Sequence, residues 1–211
     1  MIIALDSASP DQSVALADFT GAPLADAAWS TTRGQGSELL PRILGLLDDR
    51  GATLGDVQGV AVGLGPGSFT GLRVGLALAK GLAWGLAVPI VGIASLEAWL
   101  DSAPEAAAAL VRAGASEAWA RSRDEADPRL VPFDAISADG RAARLVAPRE
   151  LADTLNLSHA IPPDGAAVAV ARLAARRFAA GAADDLSALE PVYLRPPRGV
   201  AEGTVAPVTW L

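Results

Sequence analysis

Gly63-Leu64-Gly65-Pro66-Gly67-Ser68-Phe69-Thr70-Gly71-Leu72-Arg73-Val74-Gly75 carries the densest pattern in this chain of 211 residues. It follows Val57 to Leu64, an apolar run bounded by Gly and Pro that suits a buried parallel strand. It precedes a helical pattern from about Thr70 to Leu86. A strand entering a glycine-rich turn and then a helix aims backbone N–H groups where they can cradle an anion. Gly65 and Gly67 permit positive φ and close approach, and Ser68 or Thr70 can cap the helix. Asp6 closes the first strand, Ile2 to Asp6, and reads either as a phosphate- or metal-binding carboxylate or as a turn residue. The spacing matches neither Gly-x-Gly-x-x-Gly with its ribose-binding acid nor the Walker pattern. Asp6, Gly65, Gly67, Ser68 and Thr70 are therefore candidates for holding a cofactor, with a purely structural turn as the alternative.

The helix that follows is unusual. Gly71, Gly75 and Ala79 recur every four residues, as do Gly81 and Gly85, and Arg73 and Lys80 are its charges. An apolar helix with one small-residue face predicts burial on more than one side. Each interior glycine costs ~1 kcal/mol, which implies a packing demand. The demand comes either from the protein's own core or from another subunit. Working outward, Ser37 is placed to cap a helix to about Arg50, with Leu39, Leu40, Ile43, Leu44, Leu46 and Leu47 on its apolar face. Gln12 to Asp18 reads as a hairpin partner of the first strand and Pro23 to Ser30 as a third strand. Pro89 to Ile93 is a further buried strand, and Ser95 opens a helix through Leu100.

The second half is less periodic. Ala103 to Ala109 reads as a linker or a helix start. Glu117 to Ala120, Leu130 to Ile136 and Pro191 to Arg195 read as strands, and Pro148 to Leu155 and Ala166 to Ala180 as helices. This gives a lobe over 1–102, a smaller lobe over 103–195, and a Pro-rich tail over 196–211 expected to be poorly ordered. No sequence repeat stands out, although a similar β-then-α order in the two lobes is compatible with an old duplication.

Composition narrows the function classes. The chain has 24 acidic against 17 basic residues, a formal charge of −7, so its surface repels phosphate backbones. Without cysteine it forms neither disulfides nor thiolate metal sites. Val74 to Val91, the longest apolar stretch, is broken by Lys80 and Pro89, whereas a membrane span needs ~20 predominantly apolar residues. Met1-Ile2-Ile3-Ala4-Leu5-Asp6 reads as a strand and not as a signal peptide, so a cytoplasmic location is expected. His159, the one histidine, has no second ligand near it in sequence and reads as a surface residue. Arg172, Arg176 and Arg177 follow helical spacing and read as a solvated face.

The motif at 63–75 resembles the signature of the TsaB (YeaZ) family. Ile-Ala-Leu-Asp-Ser-Ala at 3–8, Ser-Val-Ala-Leu at 13–16, Leu-Leu-Pro at 39–41 and Pro-Val-Tyr-Leu-Arg at 191–195 resemble it too, in the same order. The first hundred residues match well and the rest in patches. The resemblance implies an α/β protein of the actin-like, sugar-kinase/Hsp70 type, with two ribonuclease-H-like lobes, each a mixed sheet flanked by helices. It also implies a role in making N6-threonylcarbamoyladenosine at position 37 of tRNA. In that role the chain would be a non-catalytic partner of TsaD, with the ATPase TsaE as a third component. It would form a homodimer in TsaD's absence and reach tRNA only through TsaD. No cofactor is then expected on this chain alone, with ATP and Mg²⁺ entering at the level of the complex.

Family members pair through helices of the first lobe, matching 37–50 and 70–86 here. The implied interface residues are Leu40, Ile43, Leu44, Leu47, Gly71, Leu72, Gly75, Leu76, Ala79 and Leu82. Where TsaD-like proteins carry His-x-x-x-His, this chain has Ser95-Leu-Glu-Ala-Trp99, and neither Ser95 nor Trp99 is a useful metal ligand. Kinases of the fold carry Asp-x-Gly where this chain has Asp6-Ser7-Ala8. It also departs from the TsaB pattern at Gln35-Gly36, at Arg112-Ala-Gly114 and at Glu117-Ala-Trp119, and its second lobe is short. An autonomous ATP-dependent transferase or ATPase using Asp6 and the turn at 65–70 is the alternative, and a metallopeptidase a third option.

Overall fold

Residues buried without a break form β1 (Ile2–Asp6) and β2 (Asp11–Ala17), which pair antiparallel. The computed structural model describes residues 1–31, 36–136 and 143–194. β3 (Pro23–Ser30) continues the antiparallel ladder, and its burial alternates as befits an edge strand with one face covered. α1 (Leu39–Asp48), β4 (Gly59–Gly63), α2 (Phe69–Leu86), β5 (Ile90–Ile93) and α3 (Ser95–Ser102) follow. β4 pairs parallel with β1 and β5 parallel with β4, giving the order β3-β2-β1-β4-β5.

The second sheet uses β6 (Ala108–Arg112), β7 (Glu117–Ser122), β8 (Arg129–Pro132), β9 (Leu145–Val146) and β10 (Ala160–Ile161). Its order, β10-β9-β6-β7-β8, reproduces the first sheet strand for strand. β6 pairs antiparallel with β7 and β7 antiparallel with β8, while β9 pairs parallel with β6 and with β10. α4 (Arg149–Leu155) lies between β9 and β10, and α5 (Ala166–Ala179) is the last helix among the described residues. The molecule thus has the two-lobed actin-like architecture, two mixed sheets flanked by helices.

One face of the first sheet, with Ile3, Leu5, Val14, Leu16, Val60 and Val62, packs against Leu39, Ile43 and Leu47 of α1 and Leu76, Ala79 and Ala83 of α2. The opposite face, with Ile2, Ala4, Ala61 and Val91, is covered by Ala98 of α3 and by Ala169, Val170 and Ala174 of α5. The sequence division at 103 put α5 in the second lobe; in space it lies on the first sheet. Its alanines let helix and sheet approach closely. Arg149 ties the lobes together, donating Nη1 to the buried Asp11 at 2.8 Å and Nη2 to Asp164 at 2.7 Å.

Several local expectations change. α1 starts at Leu39 behind Glu38, without a side-chain cap, so Ser37 does not cap it. Ala103–Ala109 starts no helix: 103–107 is a turn that links α3 to β6, which begins at Ala108, where the alanines gave little strand signal. Leu130–Ile136 splits into β8 and a 3₁₀ turn at Phe133–Ala135. Residues 191–194 form no strand, and Arg195 and the tail at 196–211 lie outside the described residues.

Arg176 of α5 is exposed, but Arg172 and Arg177 are not a plain solvated face. Arg172 pairs with Asp101, and Arg177 with Asp184 at 2.7 Å. That second pair closes the outer edge of β5. Asp184 Oδ2 accepts the Gly92 N–H at 2.8 Å, Arg177 Nη1 donates to Gly92 O at 3.0 Å, and Asp184 N donates to Ile90 O at 2.9 Å. A carboxylate and a guanidinium thus do the work of a sixth strand on an edge that would otherwise be open.

Candidate functional site

Parallel pairing of β1 with β4 sets Leu5 opposite Val62 and brings Asp6 against Gly63. A Cβ on Gly63 would lie 2.0 Å from Asp6 Oδ2 and 2.7 Å from Ser95 Oγ, so no larger residue fits. Asp6 is fully buried. Its Oδ1 accepts from Ala8 N–H at 3.2 Å and from the Trp99 indole N–H at 3.3 Å. Oδ2 makes no hydrogen bond of normal geometry. Burial pushes the carboxyl above its ordinary value, against the opposing effects of the Ser95 hydroxyl, the Ala8 N–H and the Trp99 indole. Ser95 Oγ in turn accepts the Gly65 N–H at 3.0 Å. Ser95 and Trp99, placed in sequence where metal ligands would stand, therefore belong to the hydrogen-bond network around Asp6.

The glycine-rich turn is closed by the chain's own backbone. Ser68 N–H donates to Ala8 O at 2.7 Å, and a Cβ on Gly67 would lie 2.1 Å from that same oxygen. A neutral carbonyl thus sits where the oxygen of an anion would be cradled. Ser68 caps α2 by accepting the Gly71 N–H at 3.2 Å. Gly65 adopts φ +95°, the left-handed conformation expected of it. Thr70 is exposed on the first turn of α2, apart from the buried Asp6. Ser7, in the place of the kinase pattern's central residue, donates its hydroxyl to Gly71 O at 2.9 Å.

The residues expected at an interface divide into two sets. Gly71, Leu72, Gly75, Leu76 and Ala79 of α2 and Ile43 and Leu47 of α1 are buried within the chain, and Leu82 is half-buried. The small-residue face of α2 meets Ser7: a Cβ on Gly71 would lie 2.2 Å from Ser7 O. The protein's own core is therefore the origin of that packing demand. Leu40 and Leu44 remain outward, 37% and 42% exposed. Trp84 of α2, absent from the sequence-derived set, is 79% exposed. It shares the outward stripe of α2 with Ala77, Gly81 and Gly85, and nothing lies within 4 Å of a Cβ built on Gly81, Gly85 or Gly45 of α1. A tryptophan among glycines on the face opposite Gly71 and Gly75 was the signal that sequence reading passed over.

Between the lobes lies a cavity of about 460 Å³, lined by Gly67 and Phe69, by Arg112, Glu117 and Trp119, and by Tyr193. A neighbouring cavity of about 330 Å³ reaches Ser9, Ser68, Arg112 and Glu150. Arg73 stacks over Phe69 at 3.8 Å and donates Nε to the Tyr193 hydroxyl at 2.9 Å, fixing the rim. His159 is exposed in the turn before β10. Among the described residues no group of three or more His, Cys, Asp or Glu is arranged to hold a metal ion, and no helix is long and apolar enough to cross a membrane.

Comparison with known proteins points one way. Residues 31–127 match the family model for TsaD, tRNA N6-adenosine threonylcarbamoyltransferase. The Escherichia coli tRNA threonylcarbamoyladenosine biosynthesis protein TsaB is 36% identical over 102 residues, 45% of this chain and 40% of that protein. A tRNA N6-adenosine threonylcarbamoyltransferase of Syntrophus aciditrophicus is 48% identical over 59 residues, 28% of this chain and 18% of that protein. The matches thus span less than half the length of these curated relatives. The structural likeness is longer. A crystal structure of a Pseudomonas aeruginosa protein with similarity to peptidase YeaZ superposes with a TM-score of 0.70 at 25% identity, covering 92% of this chain and 99% of that one.

Proposed function

We propose, from the premise that this chain belongs to the TsaB (YeaZ) family, that it is a non-catalytic subunit of a tRNA threonylcarbamoyladenosine-forming complex, docking a TsaD-type transferase through the outward faces of α1 and α2. The observation that carries this reading is the apolar face left without a partner: Leu40 and Leu44 on α1, and the Gly81-Trp84-Gly85 stripe on α2. Both helices lie within residues 31–127, the part that resembles the transferase family itself. A partner of the same fold would offer equivalent helices, so the two can meet in a near-symmetric helical packing.

The absence of catalysis is supported by the turn. Its Gly65 and Ser68 N–H groups are taken by Ser95 Oγ and Ala8 O, and Asp6 is sealed beneath Trp99. The subunit works in the cytoplasm, reaches tRNA through its partner and pairs with itself when the partner is absent. A complex of the two would also present TsaE and ATP-Mg²⁺ with a composite surface. Mixing the chain with the TsaD-type protein of the same organism at micromolar concentration should give one earlier-eluting species on a sizing column. Two unshifted peaks overturn the proposal.

A further inference from the structure

We infer that the cleft between the lobes binds a nucleoside bearing one free carboxylate, the group that threonylcarbamoyl transfer installs on adenine; this rests on the function proposed above and adds a ligand to it. The two cavities, about 460 and 330 Å³, share Arg112 and Gly114 as a common wall, so they are chambers of one cleft. Their size is in the range of small-molecule sites. Trp119 and Tyr193 line the larger chamber and offer ring faces to a planar base, beside a Phe69 ring that Arg73 covers.

Charge selects the rest of the ligand. Arg112 is the basic residue among those lining the cleft, with Glu117 in the larger chamber and Glu150 in the smaller. Two carboxylates beside one cation repel a polyphosphate more strongly than a group of a single negative charge. Arg112 Nη2 donates to Thr154 Oγ1 at 2.9 Å, and its 3.4 Å pairing with Glu150 is weak because that carboxylate is 65% exposed. Nη1 also reaches Gly114 O at 3.5 Å, and the rest of the planar fork keeps N–H groups for a ligand carboxylate. Of the cleft's hydroxyls, Ser9 Oγ donates to Asp11 O at 2.9 Å, Ser68 Oγ accepts from Gly71 N–H, and Ser116 lines the larger chamber. Joined through its amine, a threonylcarbamoyl group leaves the threonine carboxylate free, and on adenine it supplies both features at once. The same nucleoside inside RNA would bring flanking phosphates toward a chain of net charge −7, so the free nucleoside is the ligand.

Isothermal titration of the full chain with N6-threonylcarbamoyladenosine tests this, with adenosine and ATP as controls. One-site binding is expected, at least about 10-fold tighter than either control, because the carboxylate adds a charge-assisted hydrogen bond. Arg112→Ala should weaken binding about 10- to 100-fold on the same grounds. Glu117→Gln, which removes a repelling charge and spares Arg112, should bind as tightly or more tightly. No heat at millimolar nucleoside, equal affinity for adenosine or ATP, or weaker binding by Glu117→Gln each overturns the inference. Complex formation on the sizing column is read separately, so loss of nucleoside binding with a formed complex sinks this inference and leaves the subunit role standing.

Discussion

Gly75 of α2 packs directly on Ser7 at the end of β1: a Cβ built on Gly75 would lie 2.1 Å from Ser7 Oγ and 3.1 Å from a methyl of Leu5. That contact makes Gly75 a core position. Gly75→Ala should therefore destabilise the chain by about 1–3 kcal/mol through overpacking. Gly81→Ala, six residues on and facing open space, should stabilise it by up to about 1 kcal/mol, since alanine is the better helix former. Urea unfolding of the two variants reads both effects, and equal shifts would place the two glycines in equivalent surroundings.

Trp84 and Leu44 are the complementary case. Both are exposed, so Trp84→Lys and Leu44→Asp should change stability by no more than about 0.5 kcal/mol. The same substitutions should abolish the shift on a sizing column with the proposed TsaD-type partner. Retention of the complex in the double variant would move the docking surface elsewhere.

Asp184 should support stability in a pH-dependent way. Burial raises its proton affinity, but the Arg177 hydrogen bonds, the Gly92 N–H and the Arg177 charge outweigh this and leave its pKa below the ordinary 3.8. A lowered folded pKa means the contribution is present above the unfolded value and is lost as pH falls through the folded one. Asp184→Ala should cost about 1 kcal/mol at pH 7, a modest figure because Arg177 is partly exposed. The difference from wild type should shrink below pH 3.8. A pH-independent difference would mean that the carboxylate charge is not what closes the β5 edge.

Asp6 runs the opposite way. Its folded pKa is raised, so the stability it contributes is full below the ordinary value of 3.8 and is lost as pH rises through the folded value. Asp6→Asn keeps an oxygen for Ala8 and Trp99 and has no charge to bury. Its stability relative to wild type should grow between pH 4 and pH 8 in urea titrations. Constant relative stability across that range would show that Asp6 ionises freely in the fold.

The first lobe was legible because its signals are local. A continuous apolar run marks β4, and a glycine-rich turn with a serine at the cap marks the start of α2. The candidates around Asp6 converged because β1 and β4 are parallel neighbours, yet spacing alone could not tell that Ala8 O fills the turn. The second lobe was harder: β6 is alanine-rich, and β9 and β10 have two residues each, too few to show a period. α5 read correctly as a helix, but nothing in its own sequence says which sheet it covers.

Sequence by itself determined the element types of the first lobe, the glycine-rich motif at 63–75 and the lack of metal ligands at Ser95 and Trp99, because these depend on residue identity at short range. Tertiary structure alone decided that the glycine face of α2 turns inward onto Ser7 while Trp84 turns outward. A helix with apolar residues on all sides has no preferred face in sequence. Its orientation is fixed by which side can approach β1 closely, and the glycines at 71 and 75 allow that approach where any side chain would collide.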